Sequence, residues 1–366
     1  MSNPPLEPLT ATAYAVPTDR PESDGTLEWD STTIVVVEAS AGGQRGLGYT
    51  YGHRAIADVV GSALSSAIEG MDALAPPRAW AAMQREVRNI GRQGLVAMAI
   101  AAVDIALWDL RAKLLGVSLA DALGRIREAI PAYGSGGFTS YTDAELAEQL
   151  RGWVEQGCRR VKIKVGREPE RDPERLAAAR EAIGPDVRLM VDANGAFDRR
   201  AAARWAQRYA EHGVSYLEEP VSSDDLEGLR WLRDAAPPEM EIAAGEYAWD
   251  LFELERLAGC VDVLQADVTR CAGITNVLRA DGICRARNLP FSAHCAPQVS
   301  AHLCCALERA VHVEYFHDHE RVESLLFEGT LGLEDGELRP DPARPGLGIG
   351  LKRAEAERFR CQGSDN

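Results

Sequence analysis

The chain has 366 residues, 46% of them hydrophobic, enough for two domains or for one large barrel with an appendage. With 56 Asp and Glu against 40 Lys and Arg, the formal charge is −16, which disfavours nucleic acid and anionic membrane surfaces as partners. An anionic small substrate stays open, because a bound divalent metal reverses the local field.

The eight cysteines all lie beyond residue 157 and form no CxxC pair, which is neither a disulfide framework nor a zinc pattern. They read as reduced, mostly buried thiols of a cytosolic protein. Met1–Tyr14 carries no basic and then apolar leader. No apolar run approaches membrane-spanning length.

In chain order, Thr18–Ser31 (TDRPESDGTLEWDS) is acidic and turn-rich and is expected to be a mobile loop. Thr32–Glu38 (TTIVVVE), the turn Ala41-Gly42-Gly43 and Leu47–Tyr51 form a hairpin. Helical patterns follow at Ala55–Ile68, Arg78–Ile90 and Ala97–Leu115, the last alanine-rich for close helix packing and ended by Gly116. Residues 1–128 are therefore expected to form an α+β unit.

From residue 129 the rhythm changes. Strand-like runs at Ile130–Tyr133, Val161–Val165, Val187–Val191, Tyr216–Leu217, Ile242–Ala244, Val263–Gln265, Pro290–Ser292 and Val311–Tyr315 alternate with amphipathic helical runs. Eight such alternations over 129–328 fit an α/β fold, a parallel (β/α) barrel of TIM type. A doubly wound open sheet competes, although no GxGxxG follows the first strand. Residues 329–366 are expected to leave the barrel and pack back on the N-terminal unit.

Each strand from the second onward ends in an ionisable residue: Lys164, Asp192, Glu218, Glu246, Asp267, His294 and Glu314, spaced by 28, 26, 28, 21, 27 and 20 residues. A lone Asp after a strand is usually a helix cap, and a lone Glu is usually solvated. Seven in register is another matter, because the strand ends of a barrel share one mouth, where active sites sit. Asp192, Glu218 and Glu246 are three hard oxygen donors on successive strands, a set that suits Mg²⁺, with Mn²⁺ as a substitute. Lys162 and Lys164 share one face of their strand, because side chains alternate, and such a pair needs negative charge nearby. A solvated edge strand would explain the lysines equally well in isolation. Beside the carboxylates they become one flank of a metal site, with Asp267, His294 and Glu314 on the other.

The motifs Val161-Lys162-Ile163-Lys164, Val191-Asp192-Ala193-Asn194-Gly195, Leu217-Glu218-Glu219-Pro220, Ala244-Gly245-Glu246, Gln265-Ala266-Asp267 and Ser292-Ala293-His294 occur in order across the barrel. In this the chain resembles the enolase superfamily and, within it, the mandelate racemase subgroup. The resemblance spans nearly the whole chain, with 1–128 as the capping domain, 129–328 as a modified, enolase-like catalytic barrel and 329–366 completing the cap. The subgroup rests on Asp267, which stands where muconate-lactonising enzymes carry a lysine, and on His294 one strand later. Mannonate-type dehydratases place their bases differently from Lys162 and Lys164.

The resemblance implies removal of the proton α to a carboxylate, with Mg²⁺ stabilising the enediolate, a pattern for which the superfamily is a standing example. It implies Lys164 as the base on one face, with Lys162 lowering its pKa and binding the substrate carboxylate. His294 is the acid or base on the other face, oriented by Asp267. Glu314, if protonated, donates to the enediolate oxygen, and Asn194 reaches the metal or an α-hydroxyl. The loop 18–31 is the expected specificity loop, from which Asp24, Glu28 and Trp29 reach toward substrate. Arg270 and His317 lie near the mouth, where salt bridges explain them equally well. The expected outcome is dehydration of an acid sugar to a 2-keto-3-deoxy acid by a homo-oligomer. Racemisation or epimerisation of a 2-hydroxy acid is the alternative, and a non-catalytic metal-binding barrel is a third reading.

Overall fold

The structure is a computed structural model that describes residues 3–361. Met1 and Ser2 of the leader reading, and the last five residues of the 329–366 segment, lie outside the described residues.

The N-terminal unit opens with an antiparallel sheet of β1 (Thr10–Ser23), β2 (Glu28–Ala41) and β3 (Gln44–Tyr51) in the order β1-β2-β3. The β2–β3 hairpin is the expected one, with Ile34 opposite Tyr51 and Ala41 opposite Gln44. The loop expected at 18–31 is instead the far end of a β1–β2 hairpin. Glu22 pairs with Trp29 and Ser23 with Glu28, so only a tight turn separates the strands. Polar composition misled here, because this hairpin tip projects over the barrel and uses its side chains as turn caps. Asp24 Oδ1 accepts from the Thr26 and Leu27 amides at 2.6 and 2.7 Å.

The run Ile34–Val37 is buried on both sides. Ile34 and Val36 join the core shared with the barrel, while Val35 and Val37 join a second core beneath the cap helices. A continuous apolar run rather than an alternating one follows from that double burial. The 21-residue helix Leu95–Leu115 lies against β3. A Cβ at Gly48 would stand 2.2 Å from the Ala102 carbonyl, so contact this close requires the glycine. Gly116, at φ 70°, ends the helix in the left-handed region.

Eight parallel strands follow: β4 (Ile130–Gly136), β5 (Arg160–Lys164), β6 (Arg188–Asp192), β7 (Val214–Glu218), β8 (Glu241–Ala244), β9 (Val263–Ala266), β10 (Phe291–Ala293) and β11 (Ala310–Phe316). β11 pairs with β4, Val313 opposite Ala132, and closes the barrel, which excludes the open sheet. Each strand feeds a helix. The helix after β11, His317–Leu326, has no counterpart among the expected elements. Tyr133, Met190 and Tyr216, with His312 edge-on to both tyrosines, fill the barrel beneath the mouth. Burial pushes the His312 imidazole down to about 3, so this plug is uncharged.

The tail packs against both the barrel and the N-terminal unit. Glu337–Leu338 pairs with the start of β4, Gly350–Leu351 with Phe327–Glu328, and Arg360 bridges to Tyr14. Buried Asp109 joins three segments by accepting from the Leu47 amide at 2.7 Å, the Leu347 amide at 2.6 Å and Lys113 Nζ at 2.7 Å.

Candidate active site

The inward positions of a parallel strand recur every second residue. Lys162 and Lys164 on β5 follow that rule and are buried inside the barrel, at 0% and 5% exposure. Lys164, Asp192 and Glu218 share one level across β5, β6 and β7. Glu246 reaches the same level through Gly245, whose φ of 135° and approach to the Gln265 carbonyl admit no side chain.

The structure brings all seven strand-end groups together. Donor oxygens of Asp192, Glu218 and Glu246 lie within 4.8 Å of one another, all three residues buried. On one side, Lys164 Nζ is 2.6 Å from Asp192 Oδ2. Lys162 Nζ lies deeper, 2.6 Å from Glu218, 2.8 Å from Glu314 and 3.5 Å from Asp192. On the other side, His294 Nδ1 is 2.9 Å from Asp267 Oδ2 and His294 Nε2 is 3.0 Å from Glu246 Oε2. Thr269 donates to Asp267 Oδ1 at 2.7 Å through both its amide and its hydroxyl, which fixes the carboxylate that orients the imidazole.

The electrostatics correct two expectations. Burial disfavours the Lys164 ammonium, and Lys162 repels it. Asp192, backed by Glu246 and Glu314, outweighs both and holds the Lys164 pKa above its usual range rather than below it. Burial likewise favours a neutral Glu314, but Lys162, His294 and Lys164 override it and hold the carboxyl far below its usual range. Glu314 is therefore an ionised acceptor, taking bonds from Ser135 Oγ at 2.6 Å and the Cys295 amide at 3.2 Å, and not the proton donor expected. Burial also opposes the imidazolium of His294, yet Cys295, Glu246, Glu314 and Asp267 together raise its pKa well above the usual value.

The donor set fits a hard divalent cation. Around the mouth stand the carboxyls of Asp192, Glu218, Glu219, Glu246, Asp267 and Glu314, against the cationic groups of Lys162, Lys164, Arg270 and His294, two fewer. The excess is met by protons: burial, with Asp192 and Glu314 nearby, pushes Glu218 up to about 8, and burial beside Glu246 raises Glu219 well above its usual value. Glu218 Oε1 is buried without a hydrogen-bond partner among the described residues. An oxygen-ligated divalent ion would supply the missing charge and the missing partner.

A cavity of about 530 Å³ opens above these groups, with Lys164, Glu246, His294 and Glu314 in its wall. Asn194 lines it, and its Oδ1 lacks a partner among the described residues. Of the tip residues, Asp24 and Trp29 line the cavity. Trp29 is held by a 2.8 Å bond to Glu22 and by edge contact with Phe138. Glu28 turns outward to Arg167 at 2.9 Å instead. Arg270 lies in the wall, 3.5 Å from Glu246, whereas His317 pairs with Asp19 at 3.2 Å outside it.

The sequence reading assigned no role to several neighbours of this site. Thr32, Thr33, Tyr51 and His53 of the cap enter the cavity wall, as do Tyr247, Cys295 and His319. Glu219 and Cys295 had a signal, since each directly follows a site residue. The cap residues had none, because their approach depends on how the sheet docks.

A closed parallel barrel with an antiparallel cap, and with lysine and histidine–aspartate flanks around three carboxylates, defines an enolase-like enzyme architecture. The chain belongs to the mandelate racemase/muconate lactonizing enzyme family: its residues 10–124 match the N-terminal domain of that family and residues 145–356 match the enolase C-terminal domain-like family. A mandelate racemase/muconate lactonizing enzyme-like protein from Rubrobacter xylanophilus is 63% identical, with a TM-score of 0.96 over 97% of this chain and 99% of that one. D-galactarolactone cycloisomerase of Agrobacterium fabrum is 33% identical over 270 residues, 71% of this chain and 70% of that protein. L-talarate/galactarate dehydratase of Salmonella typhimurium is 31% identical over 332 residues, 87% of this chain and 80% of that protein. The crystal structure of the Salmonella enzyme with Mg and L-lyxarohydroxamate aligns at a TM-score of 0.90, with 28% identity, over 99% of this chain and 94% of that one. Among the described residues no helix is long and apolar enough to cross a membrane.

Proposed function

We propose that this protein is an acid-sugar dehydratase that removes the proton α to a carboxylate and then expels a β-hydroxyl. The observation that carries this reading is the placement of two proton carriers, Lys164 and His294, on opposite flanks of the Asp192–Glu218–Glu246 cluster. In this reading those three carboxylates hold Mg²⁺, or Mn²⁺ in its place. When bound, the ion acts as a Lewis acid on the substrate carboxylate and stabilises the charge of the enediolate.

The chain's own residues do the rest. Lys162, locked among carboxylates, offers fixed positive charge where the substrate carboxylate gains electrons. Lys164 takes the α-proton on its flank. His294, kept in one tautomer by Asp267, delivers a proton to the departing β-oxygen, so water leaves and the enol collapses to a 2-keto-3-deoxy acid. Glu314 acts as an acceptor that steadies Lys162. Asn194, with Asp24 and Trp29 less directly, contacts the sugar hydroxyls.

Reprotonation of the enediolate from the opposite flank would make the same site a racemase or epimerase. The 33% identity to a cycloisomerase keeps open an elimination in which the leaving oxygen belongs to a ring. A non-catalytic metal-binding barrel has no need of both flanks.

An acid-sugar and lactone library with Mg²⁺ separates these readings. Appearance of a 2-keto-3-deoxy acid is expected. Exchange of the α-proton in D₂O with inversion and no keto acid would replace the dehydratase by a racemase. Neither outcome across the library would remove both enzyme readings.

We further infer a division into a cap of residues 1–128, a catalytic barrel of 129–328 and a returning segment of 329–366. We also infer a cytoplasmic homo-oligomer. Eight free cysteines, seven of them buried, support a reducing compartment. Phe252, 74% exposed, and Trp231, 45% exposed, support a partner surface.

A further inference from the structure

We propose that His294, Cys295 and Glu314 form a second metal site, specific for a thiophilic divalent cation such as Zn²⁺ or Cd²⁺, whose occupation switches the enzyme off. The three residues offer one nitrogen, one sulfur and one oxygen, a donor set of different chemistry from the all-oxygen cluster beside it. The donor atoms are already spaced for tetrahedral ligation. Cys295 Sγ is 3.3 Å from His294 Nε2 and 3.4 Å from Glu314 Oε2, and Nε2 is 3.6 Å from Oε2. Zinc–ligand bonds of about 2.0–2.3 Å at tetrahedral angles place such atoms about 3.3–3.6 Å apart.

Each donor is oriented by a neighbour. Asp267 holds His294 Nδ1, which aims Nε2 into the cavity in the carboxylate–histidine arrangement common at metal sites. Lys162 and Ser135 occupy Glu314 Oε1, while Oε2, which accepts from the Cys295 amide at 3.2 Å, keeps a second lone pair for a ligand. Adjacent residues of an extended chain point opposite ways. Here Cys295 and Ala296 take φ values of 50° and 44°, and the Cys295 thiol lies beside the His294 ring. All three residues line the cavity, so a fourth position faces solvent or substrate. As the metal binds, the Cys295 thiol proton and the Nε2 proton of the His294 imidazolium both leave to solvent, so uptake releases two protons.

The all-oxygen cluster favours the harder Mg²⁺, and the soft thiolate sorts Zn²⁺ and Cd²⁺ to this site. A cation bound there occupies the Nε2 lone pair, so His294 no longer carries a proton. This inhibitory consequence rests on the catalytic reading of His294, whereas binding does not.

The full chain, loaded with Mg²⁺, is titrated with CdCl₂. Bound Cd²⁺ is measured by equilibrium dialysis, and thiolate ligation by cadmium–sulfur charge-transfer absorption. Cys361→Ser removes the half-buried thiol as a control, and Cys295→Ser and Cys295→Ala remove the proposed ligand. The expected result is thiolate absorption that survives Cys361→Ser and disappears in both Cys295 variants. Inhibition by Cd²⁺ or Zn²⁺, measured against each variant's own rate with Mg²⁺ alone, should weaken by about tenfold or more in those variants. Uptake of Cd²⁺ without thiolate absorption, or absorption unchanged in the Cys295 variants, overturns the site. Absorption that depends on Cys295 while turnover is insensitive to Cd²⁺ leaves the site standing and refutes the role of His294 instead.

Discussion

Lys162→Met is the sharpest test of how the mouth is held together. The substitution keeps the bulk of the side chain and removes the ammonium that sits 2.6 Å from Glu218 and 2.8 Å from Glu314, at 0% exposure, over the ring of Tyr133. Breaking one side of a buried ion pair leaves unpaired charge and costs about 3–5 kcal/mol. The carboxylates limit the loss by taking a proton, which for one glutamate of ordinary pKa costs about 3–4 kcal/mol at pH 7. The expected loss of stability is therefore about 3–4 kcal/mol at pH 7. The sign with pH follows from Glu314. Its folded pKa is depressed, by Lys162 foremost and against the effect of burial. The stability this contributes is present above the unfolded pKa and lost as pH falls through the folded value. That contribution is constant between pH 7 and pH 5, but in the folded variant a carboxylate is protonated that is ionised in the unfolded chain, so the variant gains stability as pH falls and its deficit should shrink by about 1.4 kcal/mol per unit between pH 7 and pH 5. Urea melts of both proteins in EDTA at the two pH values measure it. Equal deficits at both pH values, or a deficit under about 1 kcal/mol at pH 7, would refute the reasoning.

Other perturbations separate catalysis from folding. Lys164→Ala and His294→Asn should each lower turnover by about 10²–10⁴-fold while leaving the melting curve cooperative; steady-state rates on the library hit decide, and unaltered activity in both would remove the proton-carrier assignment. Chelation by EDTA should abolish turnover and lower Tm, with Mg²⁺ or Mn²⁺ restoring both; retained activity after dialysis would contradict the metal reading. Asp104, buried in the cap helix, accepts from the Thr275 amide at 2.8 Å, and burial pushes its carboxyl up to about 7. A raised folded pKa contributes stability below the unfolded value that is lost as pH rises through about 7. Asp104→Asn should therefore gain on the natural protein by about 2 kcal/mol between pH 5 and pH 7, and parallel stability–pH curves would disprove this.

The barrel was legible because its signals are local and repeated. Most strands are short apolar runs, helices such as Arg199–Glu211 and Leu226–Ala235 are amphipathic, and a βα repeat sets the step from Lys164 to Glu314. What the sequence could not reveal depends on docking. The tip of β1–β2 reads as a loop because Thr18, Asp19, Arg20 and Glu22 are polar, yet Glu22 pairs across to Trp29 within a hairpin that covers the mouth. Tyr51 on β3 stacks on His319, their ring centroids 3.4 Å apart, although 268 residues separate them. No pattern along the chain encodes that contact. The protonation states also escaped. Proximity of two lysines suggested a lowered pKa, and only the distances show that Asp192 outweighs Lys162 at Lys164.

The two lysines of β5 therefore differ in kind. Lys162 is bound by three carboxylates within 3.5 Å and is 0% exposed, so any charge it has is fixed. Lys164 makes one close ion pair, with Asp192, and lines the cavity. A cation held by Asp192 and Glu246 would draw both carboxylates away from Lys164, leaving burial and Lys162 to push the ammonium toward the neutral amine against Glu314 alone. Filling the metal site would then also arm the base, which gives the strong acceptor Asp192 a role beside Lys164. The coupling is measurable without substrate, since only a neutral amine reacts with an acylating reagent. Labelling of Lys164, followed by peptide mass spectrometry at constant pH, should accelerate when Mg²⁺ is added and should be insensitive to Mg²⁺ in Asp192→Asn. An unchanged or slower rate in the natural protein would mean that some other group, and not the metal-engaged Asp192, sets the basicity of Lys164.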